Sequence, residues 1–204
     1  MTTLTQKPRV AFQGERGAFS EEAAHKLLGP EIELVPRRTF ADLYDSLDRN
    51  LADYILAPVE NSIAGLVQPS IDLLHAKSLN ILDEIQIKIE QHLIGCPGAT
   101  FDTIETVQSH PTALAQCSRF FQTYPQLKRV VADDTAGSVA EVIRRGDPKR
   151  AAIAGQRAAG LYGAIILRRN IHDHSENYTR FVLLSASTEQ IPNSPTLQVK
   201  EYAS

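Results

Sequence analysis

The sequence predicts an α/β protein in which strands and helices alternate along the chain. Short apolar runs of strand length, such as residues 9–12 and 54–59, alternate with amphipathic stretches of helical length. Residues 39–51 are one such stretch, since their apolar side chains recur on a single helix face. Residues 81–94 instead alternate apolar and polar side chains, over a length that commonly carries a strand from one sheet into another. These patterns are typical of β-α-β units around largely parallel sheets.

The first series of predicted elements begins with a strand that runs into the turn at residues 14–17. Ser20 is predicted to cap the first helix, because its hydroxyl can accept from first-turn N–H groups and acidic residues follow it. The further strands of this series are predicted at 32–36, 54–59 and 81–94, and the further helices at 39–51 and 66–74.

The second series has the same alternation. Its strands are predicted at 106–108, 129–131, 151–153 and 181–184, and its helices at 111–124, 136–145 and 157–162. We expect residues 81–94 and 169–177 to be the two crossings between two lobes. The stretch from Pro192 onward is predicted to be a tail with little need for a defined structure.

The composition is that of an ordinary globular protein. The 204 residues include 43% apolar and 22% charged residues, with a net charge of -3. These values give no sign of disorder and no basic excess that would favour nucleic acid, so an anionic ligand must be held by local groups.

Cysteine content and the apolar pattern bear on location. Cys96 and Cys117 lack CxxC spacing and neighbouring histidines, which argues against a disulfide framework or a zinc site. The first seven residues lack the regions of a signal peptide, and no stretch approaches 18 uninterrupted apolar residues. We therefore expect a cytoplasmic protein with no membrane association.

Polar side chains collect in five loops, which follow strand ends. If the sheets are parallel, such loops gather on the side where open α/β sheets bind ligands. Four of them precede or open a helix, so that backbone N–H groups could meet carboxylates there, although capping alone would also explain Ser20, Ser109 and Thr135. The five loops are residues 14–17, 60–62, 109–111, 134–138 and 177–180.

Several of these residues invite sharper interpretations. Ser109 beside His110 lacks the orienting acid of a hydrolase triad. His172 and His174 lack a third metal ligand and are predicted to lie in a surface loop. Glu60 could be a buried acid, a cap or a hinge contact, and the sequence leaves these open.

Six stretches resemble one enzyme family, in the family's order. They are GERGAFSEEAA (14–24), PVENSIAGLV (58–67), SHP (109–111), ALAQC (113–117), DTAG (134–137) and NYTRF (177–181). This series resembles the prephenate dehydratases, including the plant-type arogenate dehydratases. Ala18, Thr112 and Gln156 depart from the family's usual residues. Members commonly continue into an ACT domain that binds phenylalanine, or begin with a chorismate mutase domain, and we expect neither in this chain.

The resemblance implies a fold of two α/β lobes, like type II periplasmic binding proteins, with the active site in the cleft between them. Residues 1–82 with 176–204 would form the first lobe and residues 83–175 the second. Together they would make one catalytic domain that acts on a small-molecule substrate, with no metal or organic cofactor. A homodimer is a reasonable default for a cytoplasmic enzyme.

The implied reaction is the decarboxylating dehydration of prephenate to phenylpyruvate, in phenylalanine biosynthesis. Thr179 would interact with the leaving hydroxyl, Arg180 would fix a carboxylate or orient the loop, and Phe181 would wall the ring from water. Two alternatives stay open: a dehydratase that acts chiefly on arogenate, and a non-catalytic module of the same fold that binds a small anion. The implied catalytic residues are Thr179, Asn61, Ser109 and Gln116, and the implied substrate-binding residues are Glu60, Ser62, Thr135, Ala136, Gly137, Asn177, Arg180 and Phe181.

Overall fold

A computed structural model describes residues 7–77 and 79–186; the tail predicted from Pro192 lies outside these residues. The strands of the described part are β1 (Arg9–Gln13), β2 (Glu33–Arg37), β3 (Tyr54–Asn61), β4 (Gly65–Leu66), β5 (Asn80–Lys88), β6 (His92–Gly95), β7 (Thr106–Ser109), β8 (Lys128–Val131), β9 (Arg150–Ala154), β10 (Ile165–Arg168) and β11 (Tyr178–Ser185). Its α-helices are α1 (Phe19–Leu28), α2 (Phe40–Asp48), α3 (Gln68–Ala76), α4 (Pro111–Ala115), α5 (Ser118–Thr123), α6 (Thr135–Arg145) and α7 (Gln156–Tyr162). The predicted α/β class is confirmed.

The described residues divide into two compact units, and each contains one sheet. The first unit contains residues 7–13, the described part of 20–87 and residues 179–186, and the second contains Gly14–Phe19 and Lys88–Tyr178. The first sheet has the order β2-β1-β3-β11-β5, with β4 paired to β3, and the second has the order β8-β7-β9-β6-β10. In each sheet three parallel strands are followed by an antiparallel one, which is β11 in the first sheet and β6 in the second.

The crossing predicted at residues 81–94 consists of two strands instead of one. β5 belongs to the first sheet and β6 to the second, and residues 89–91, the first connector, join them. β10, which the sequence did not predict, leads through residues 169–177, the second connector, into β11. The connectors are hydrogen-bonded to each other, since Ile89 N donates to Asn177 O at 2.7 Å and Ile171 N donates to Gln91 O at 2.9 Å.

The helix predicted over residues 111–124 is also two elements, α4 and α5, which are separated at Gln116 and Cys117. The break between the two helices is explained by a residue that is distant in the sequence. The carboxylate of Asp173, on the second connector, accepts hydrogen bonds from Ser118 N at 2.9 Å and Arg119 N at 3.0 Å. This carboxylate caps a new helix start, and local helical periodicity cannot reveal it.

All three predicted caps are wrong, and in α4 the cap is His110 instead of Ser109. Ser20 lies inside the first turn of α1, which begins one residue earlier at Phe19. Asp134, not Thr135, caps α6, and its Oδ1 accepts from Gly137 N at 2.6 Å. Aspartate is at least as good a cap as threonine, so this choice between neighbours depends on backbone conformation.

The glycine turn after β1 has a packing role within the second unit. Gly17 has a φ of +88°, and a Cβ placed there would lie 2.9 Å from Ala158 Cα in α7. Arg16 O accepts a hydrogen bond from the Tyr162 hydroxyl at 2.8 Å. Backbone approach therefore explains the glycine without a ligand.

Each unit has its own hydrophobic core, and the strands that carry site residues run through it. In the first unit Val182 and Leu184 of β11 pack with Ala57 and Val59 of β3. In the second unit the apolar residues of β6, β7 and β9 pack against α6 and α7. Side chains at the ends of these strands are thus attached to buried segments that cannot shift without disturbing the packing.

Candidate active site

Asn61 and Thr179 form a side-chain pair where β3 ends and β11 begins. The two residues lie opposite each other in the antiparallel ladder, and Asn61 Nδ2 donates to Thr179 Oγ1 at 3.0 Å. Asn61 Oδ1 accepts from Ile63 N at 3.1 Å and from Ala64 N at 2.8 Å, which fixes the amide end that faces Thr179. Because the Thr179 oxygen is an acceptor here, its hydroxyl hydrogen can be donated elsewhere.

The turn after β3 explains why asparagine occurs at this position. A short amide side chain can bond to backbone N–H groups two and three residues ahead, which stabilises the reversal of the chain. Gly65 follows with a φ of +80°, a conformation that favours glycine, and it pairs with Asn61 in the β3–β4 ladder. Ser62 lies exposed in the same turn.

Arg180 engages other partners than its neighbour Thr179. Its Nη2 lies 3.1 Å from Glu60 Oε2 and its Nη1 lies 3.4 Å from Glu84 Oε2. Successive residues of a strand point to opposite faces of the sheet, so Thr179 and Arg180 project in opposite directions. Of the two predicted roles of Arg180, these contacts favour orienting the strand end. They also identify Glu60 as a half-exposed ion-pair partner.

Phe181 lies in the interior of the first unit. It is 2% exposed, and the register of β11 against β3 shifts between Arg180 and Phe181. Its ring therefore packs in the protein interior. The predicted role, shielding the ring of the substrate from water, would instead need an accessible surface. The apolar pattern of residues 181–184 was the signal that indicated this burial.

Ser109 and His110 do not form a nucleophile and base pair. Ser109 is fully buried, and its hydroxyl donates to Ile153 O at 2.7 Å, across the β7–β9 pair. His110 caps α4, with its Nδ1 accepting from Thr112 N at 3.2 Å. Each group is used within its own unit as a structural polar contact.

Gln116 lies at the break between α4 and α5, where the second connector holds it. Asn177 Nδ2 donates to Gln116 Oε1 at 3.1 Å, and Asp173 N donates to Gln116 O at 2.7 Å. Asn177 is fully buried, whereas Gln116 is partly exposed. Sequence reasoning missed Asp173, because the segment around it was interpreted as a surface loop between two histidines.

The start of α6 is less open than the sequence suggests. The Gly137 N–H is bonded to Asp134, and a Cβ on Gly137 would lie 2.6 Å from Asp134 Oδ2. Ala136 is fully buried and Thr135 is partly exposed. The glycine is thus explained by the close approach of the capping carboxylate.

The environment of Cys117 in the second unit does not favour a nucleophilic role. Burial, with a smaller contribution from the nearby Asp173 carboxylate, raises the pKa of the Cys117 thiol to about 12. The thiol is therefore protonated at neutral pH and behaves as a small apolar side chain.

Neither a metal site nor a membrane span is found in the described part of the chain. No group of three or more His, Cys, Asp or Glu side chains in residues 7–77 and 79–186 could hold a metal ion. Within the same residues no helix combines the length and the apolar character that a membrane crossing requires.

The family model of prephenate dehydratase matches residues 10–189. The chain belongs to the prephenate dehydratase family. It is 37% identical over 177 residues to the arogenate dehydratase/prephenate dehydratase 2, chloroplastic, of Arabidopsis thaliana, a match that covers 87% of this chain and 46% of that protein. The chain spans about half the length of the curated relatives it matches.

Two solved structures share the fold. The prephenate dehydratase of Arthrobacter aurescens, in complex with L-Phe, has a TM-score of 0.80 and 25% identity, and the match covers 95% of this chain and 63% of that one. A structure described as "GqqA- a novel type of quorum quenching acylases" has a TM-score of 0.78 and 34% identity, over 90% of this chain and 66% of that one. The likeness of the fold thus extends over both units.

Proposed function

We propose that the chain catalyses the decarboxylating dehydration of prephenate to phenylpyruvate in phenylalanine biosynthesis. Arogenate, which carries an amino group in place of the side-chain keto group, is the alternative substrate. Family membership supports this proposal. The observation that carries it is the hydrogen bond from Asn61 Nδ2 to Thr179 Oγ1, which prepares a hydroxyl as a donor.

For this reaction the protein mainly has to position the substrate and supply one hydrogen-bond donor. The bond between the ring and its carboxylate breaks, and its electron pair enters the ring as the ring hydroxyl departs. Carbon dioxide and water leave, and one proton is taken up by the departing oxygen. Aromatisation supplies the driving force, so the protein must hold the dianion and stabilise charge on that oxygen.

Thr179 is the donor to the departing oxygen in this proposal. An alcohol alone is too weak an acid to supply the proton, which comes ultimately from solvent. The Asn61 N–H stabilises negative charge on Thr179 Oγ1, because hydrogen bonds to the charged form of a group favour it. Polarised in this way, the hydroxyl is a stronger hydrogen-bond donor in the transition state.

The remaining residues position the substrate and the donors. Arg180, bound by Glu60 and Glu84, holds the strand end that carries Thr179. Gln116 contributes hydrogen bonds to substrate oxygens, and the backbone N–H groups of Thr135 and Ala136 are further candidates for a carboxylate. The proposal requires no metal and no organic cofactor.

The test is an assay of the purified chain with prephenate and arogenate side by side. Phenylpyruvate is followed by its absorbance in alkali, and phenylalanine by chromatography. The proposal expects turnover of at least one substrate, and the ratio of the two kcat/KM values identifies the preferred one. Thermal stabilisation by both compounds without product would overturn the proposal in favour of a binding module.

Amide hydrolysis is the activity that the likeness to the acylase structure raises. It would need an activated nucleophile. Ser109 donates to a backbone carbonyl and His110 caps a helix, so their contacts do not favour that chemistry. An N-acylated amine therefore serves as the control substrate, for which we expect no hydrolysis.

Location and assembly are further parts of the proposal. A reducing, cytoplasmic location is supported by Cys96 and Cys117, which are buried free thiols. A homodimer is a prediction that light scattering of the purified chain can check.

A further inference from the structure

The pair formed by Gln116 and Asn177 has a defined polarity. A carboxamide presents an acceptor at one end and two donors at the other. Gln116 Oε1 accepts from Asn177 Nδ2 at 3.1 Å, so the end of Gln116 that remains to meet a ligand is the Nε2 donor end. Asn177 itself is fully buried, which argues against direct contact with substrate.

The backbone of Gln116 is held by the same segment of chain. Asp173 N donates to Gln116 O at 2.7 Å. The Asp173 carboxylate also accepts from Ser118 N at 2.9 Å, from the Ser118 hydroxyl at 2.6 Å and from Arg119 N at 3.0 Å. The second connector thus fixes both the side chain and the main chain at the break between α4 and α5.

Asn177 is in turn fixed from its other side. Its carbonyl accepts from Ile89 N, on the first connector, at 2.7 Å. A buried side chain with its main chain anchored has little freedom to turn, so it can impose an orientation on a partly exposed partner.

We infer that Asn177 is a positioning residue that makes Gln116 a hydrogen-bond donor to the substrate, with Asp173 holding the backbone where Gln116 acts. This inference rests on the proposed dehydratase function and refines it. Carboxylate oxygens and a departing hydroxyl both accept hydrogen bonds, so a donor at Gln116 matches prephenate and arogenate alike.

The kinetic test is a double-mutant cycle. Asn177→Asp keeps the size of the side chain but replaces its donor with an acceptor, which makes Gln116 turn its Nε2 inward. We expect kcat/KM to fall at least about tenfold in Asn177→Asp. The same change in a Gln116→Ala background should alter kcat/KM less than about twofold, because the partner is gone. Asn170→Asp, on the same connector with an exposed side chain, is the matched control.

Two kinetic outcomes would overturn the inference. Near-normal activity of Asn177→Asp would mean that Gln116 already donates to residue 177. An equal loss with and without Gln116 would mean that Asn177 acts independently of Gln116.

A second variant covers the case in which a buried carboxylate prevents folding. Gln116→Glu changes a partly exposed residue, retains an acceptor for Asn177 and removes both donor hydrogens. We expect a fall in kcat/KM of at least about tenfold with an unchanged circular dichroism spectrum. Activity within about twofold of the wild type would contradict a donor role.

A readout without substrate separates this inference from the proposed function. The side-chain amide signals of Gln116 and Asn177 can be assigned by NMR from the pairs that disappear in Gln116→Glu and Asn177→Asp. We expect the Asn177 pair to shift in Gln116→Ala and the Gln116 pair to shift in Asn177→Asp, while Asn170→Asp shifts neither. Unmoved signals would overturn the pairing even in an active enzyme, and shifted signals in an enzyme inactive on both substrates would reject only the proposed function.

Discussion

Each of the two units contains an asparagine that donates to an oxygen of a second polar side chain. In the first unit Asn61 donates to Thr179, and in the second Asn177 donates to Gln116, at 3.0 and 3.1 Å. In both pairs the asparagine occupies the acceptor end of its partner and leaves hydrogens to donate. The same type of hydrogen bond from an asparagine therefore leaves two different groups as donors, a hydroxyl and an amide.

The supports of the two pairs differ. Asn61 is held by two backbone N–H groups of its own turn, two and three residues ahead, and Thr179 lies opposite it in the sheet. Asn177 and Gln116 are 61 residues apart, and one lies on a connector while the other lies at a helix break. The orientation of Gln116 therefore depends on the second connector, which holds both its side chain and its backbone.

The largest expected effect is on the Thr179 side of this comparison. Thr179→Ala should lower kcat by about two orders of magnitude or more, a size typical of losing a positioned transition-state donor. Thr179→Ser should recover much of the loss, because it restores the hydroxyl. Steady-state kinetics with the preferred substrate measures both.

Thr123→Ala is a suitable control, since the Thr123 hydroxyl donates to Arg119 O within α5 and should be dispensable for turnover. Turnover of Thr179→Ala within a few-fold of the wild type would remove the assignment of the donor. It would also remove the reason to rank the first pair above the second.

Asn61→Asp should have the next largest effect. The carboxylate can still accept from Ile63 N and Ala64 N, so the turn is retained, but the donor to Thr179 is lost. We expect kcat/KM to fall about 10- to 100-fold, more than in Asn177→Asp, because Thr179 is the proposed donor to the departing oxygen. A smaller effect for Asn61→Asp than for Asn177→Asp, measured under the same conditions, would reverse the proposed order of the pairs.

The sequence predicted the strands and helices that carry both pairs better than it predicted the contacts of their side chains. The alternation of apolar runs was sufficient for most strands, and the six ordered motifs placed Asn61, Gln116 and Thr179 among the candidates. Periodicity could not predict the break at Gln116, because the Asp173 cap comes from more than fifty residues away. It also could not choose between Asp134 and Thr135 as a cap, since both suit that position.

Burial was the other property that composition alone could not assign. Phe181 and Ser109 have the residue types expected in a binding site, but both side chains are buried. Neighbouring residues in a strand alternate between faces, so a motif of five consecutive residues cannot direct all its side chains to one ligand. Motifs therefore identify segments of chain, and only the fold divides their members between contact and support.

Arg180→Lys tests the support of the first pair and should have a smaller effect than the changes to the pair itself. A single ammonium cannot reproduce the planar fork that bridges Glu60 and Glu84. We expect kcat/KM to fall about tenfold, with the loss mainly in kcat if the arginine orients the strand end that carries Thr179.

Arg144→Lys provides the control for Arg180→Lys, because Arg144 also pairs with a carboxylate but lies exposed on α6. A rise in KM without a change in kcat for Arg180→Lys would instead indicate that the guanidinium binds a substrate carboxylate directly. That result would contradict the orienting role.

The smallest predicted effect concerns His92. Its position in the second sheet is equivalent to the position of Thr179 in the first sheet. Thr179 lies opposite the last residue of β3, and His92 lies opposite Ala154, the last residue of β9. Unlike Thr179, His92 is buried, and its Nδ1 accepts from Asn170 N at 3.0 Å. The equivalent position in the second sheet is therefore structural.

This difference should appear in the pH dependence of stability. Burial, then the charge of Arg169, hold the pKa of His92 below its ordinary value of 6.5; His172 adds to the lowering and Glu90 opposes it. The unfolded chain thus takes up a proton at a higher pH than the folded chain. The stability that neutral His92 contributes is present above pH 6.5 and is lost as the pH falls through the lower pKa of the folded state.

His92→Asn should remove this component, because the amide oxygen can accept the same bond but does not titrate. Urea unfolding at several pH values between neutral and mildly acidic measures the slope, and one proton limits its change to about 1.4 kcal/mol per pH unit. His75→Asn makes the same substitution at an exposed position in α3 and is measured alongside. If His92→Asn also leaves it unchanged, His92 is not held neutral by burial, and this contrast with Thr179 fails.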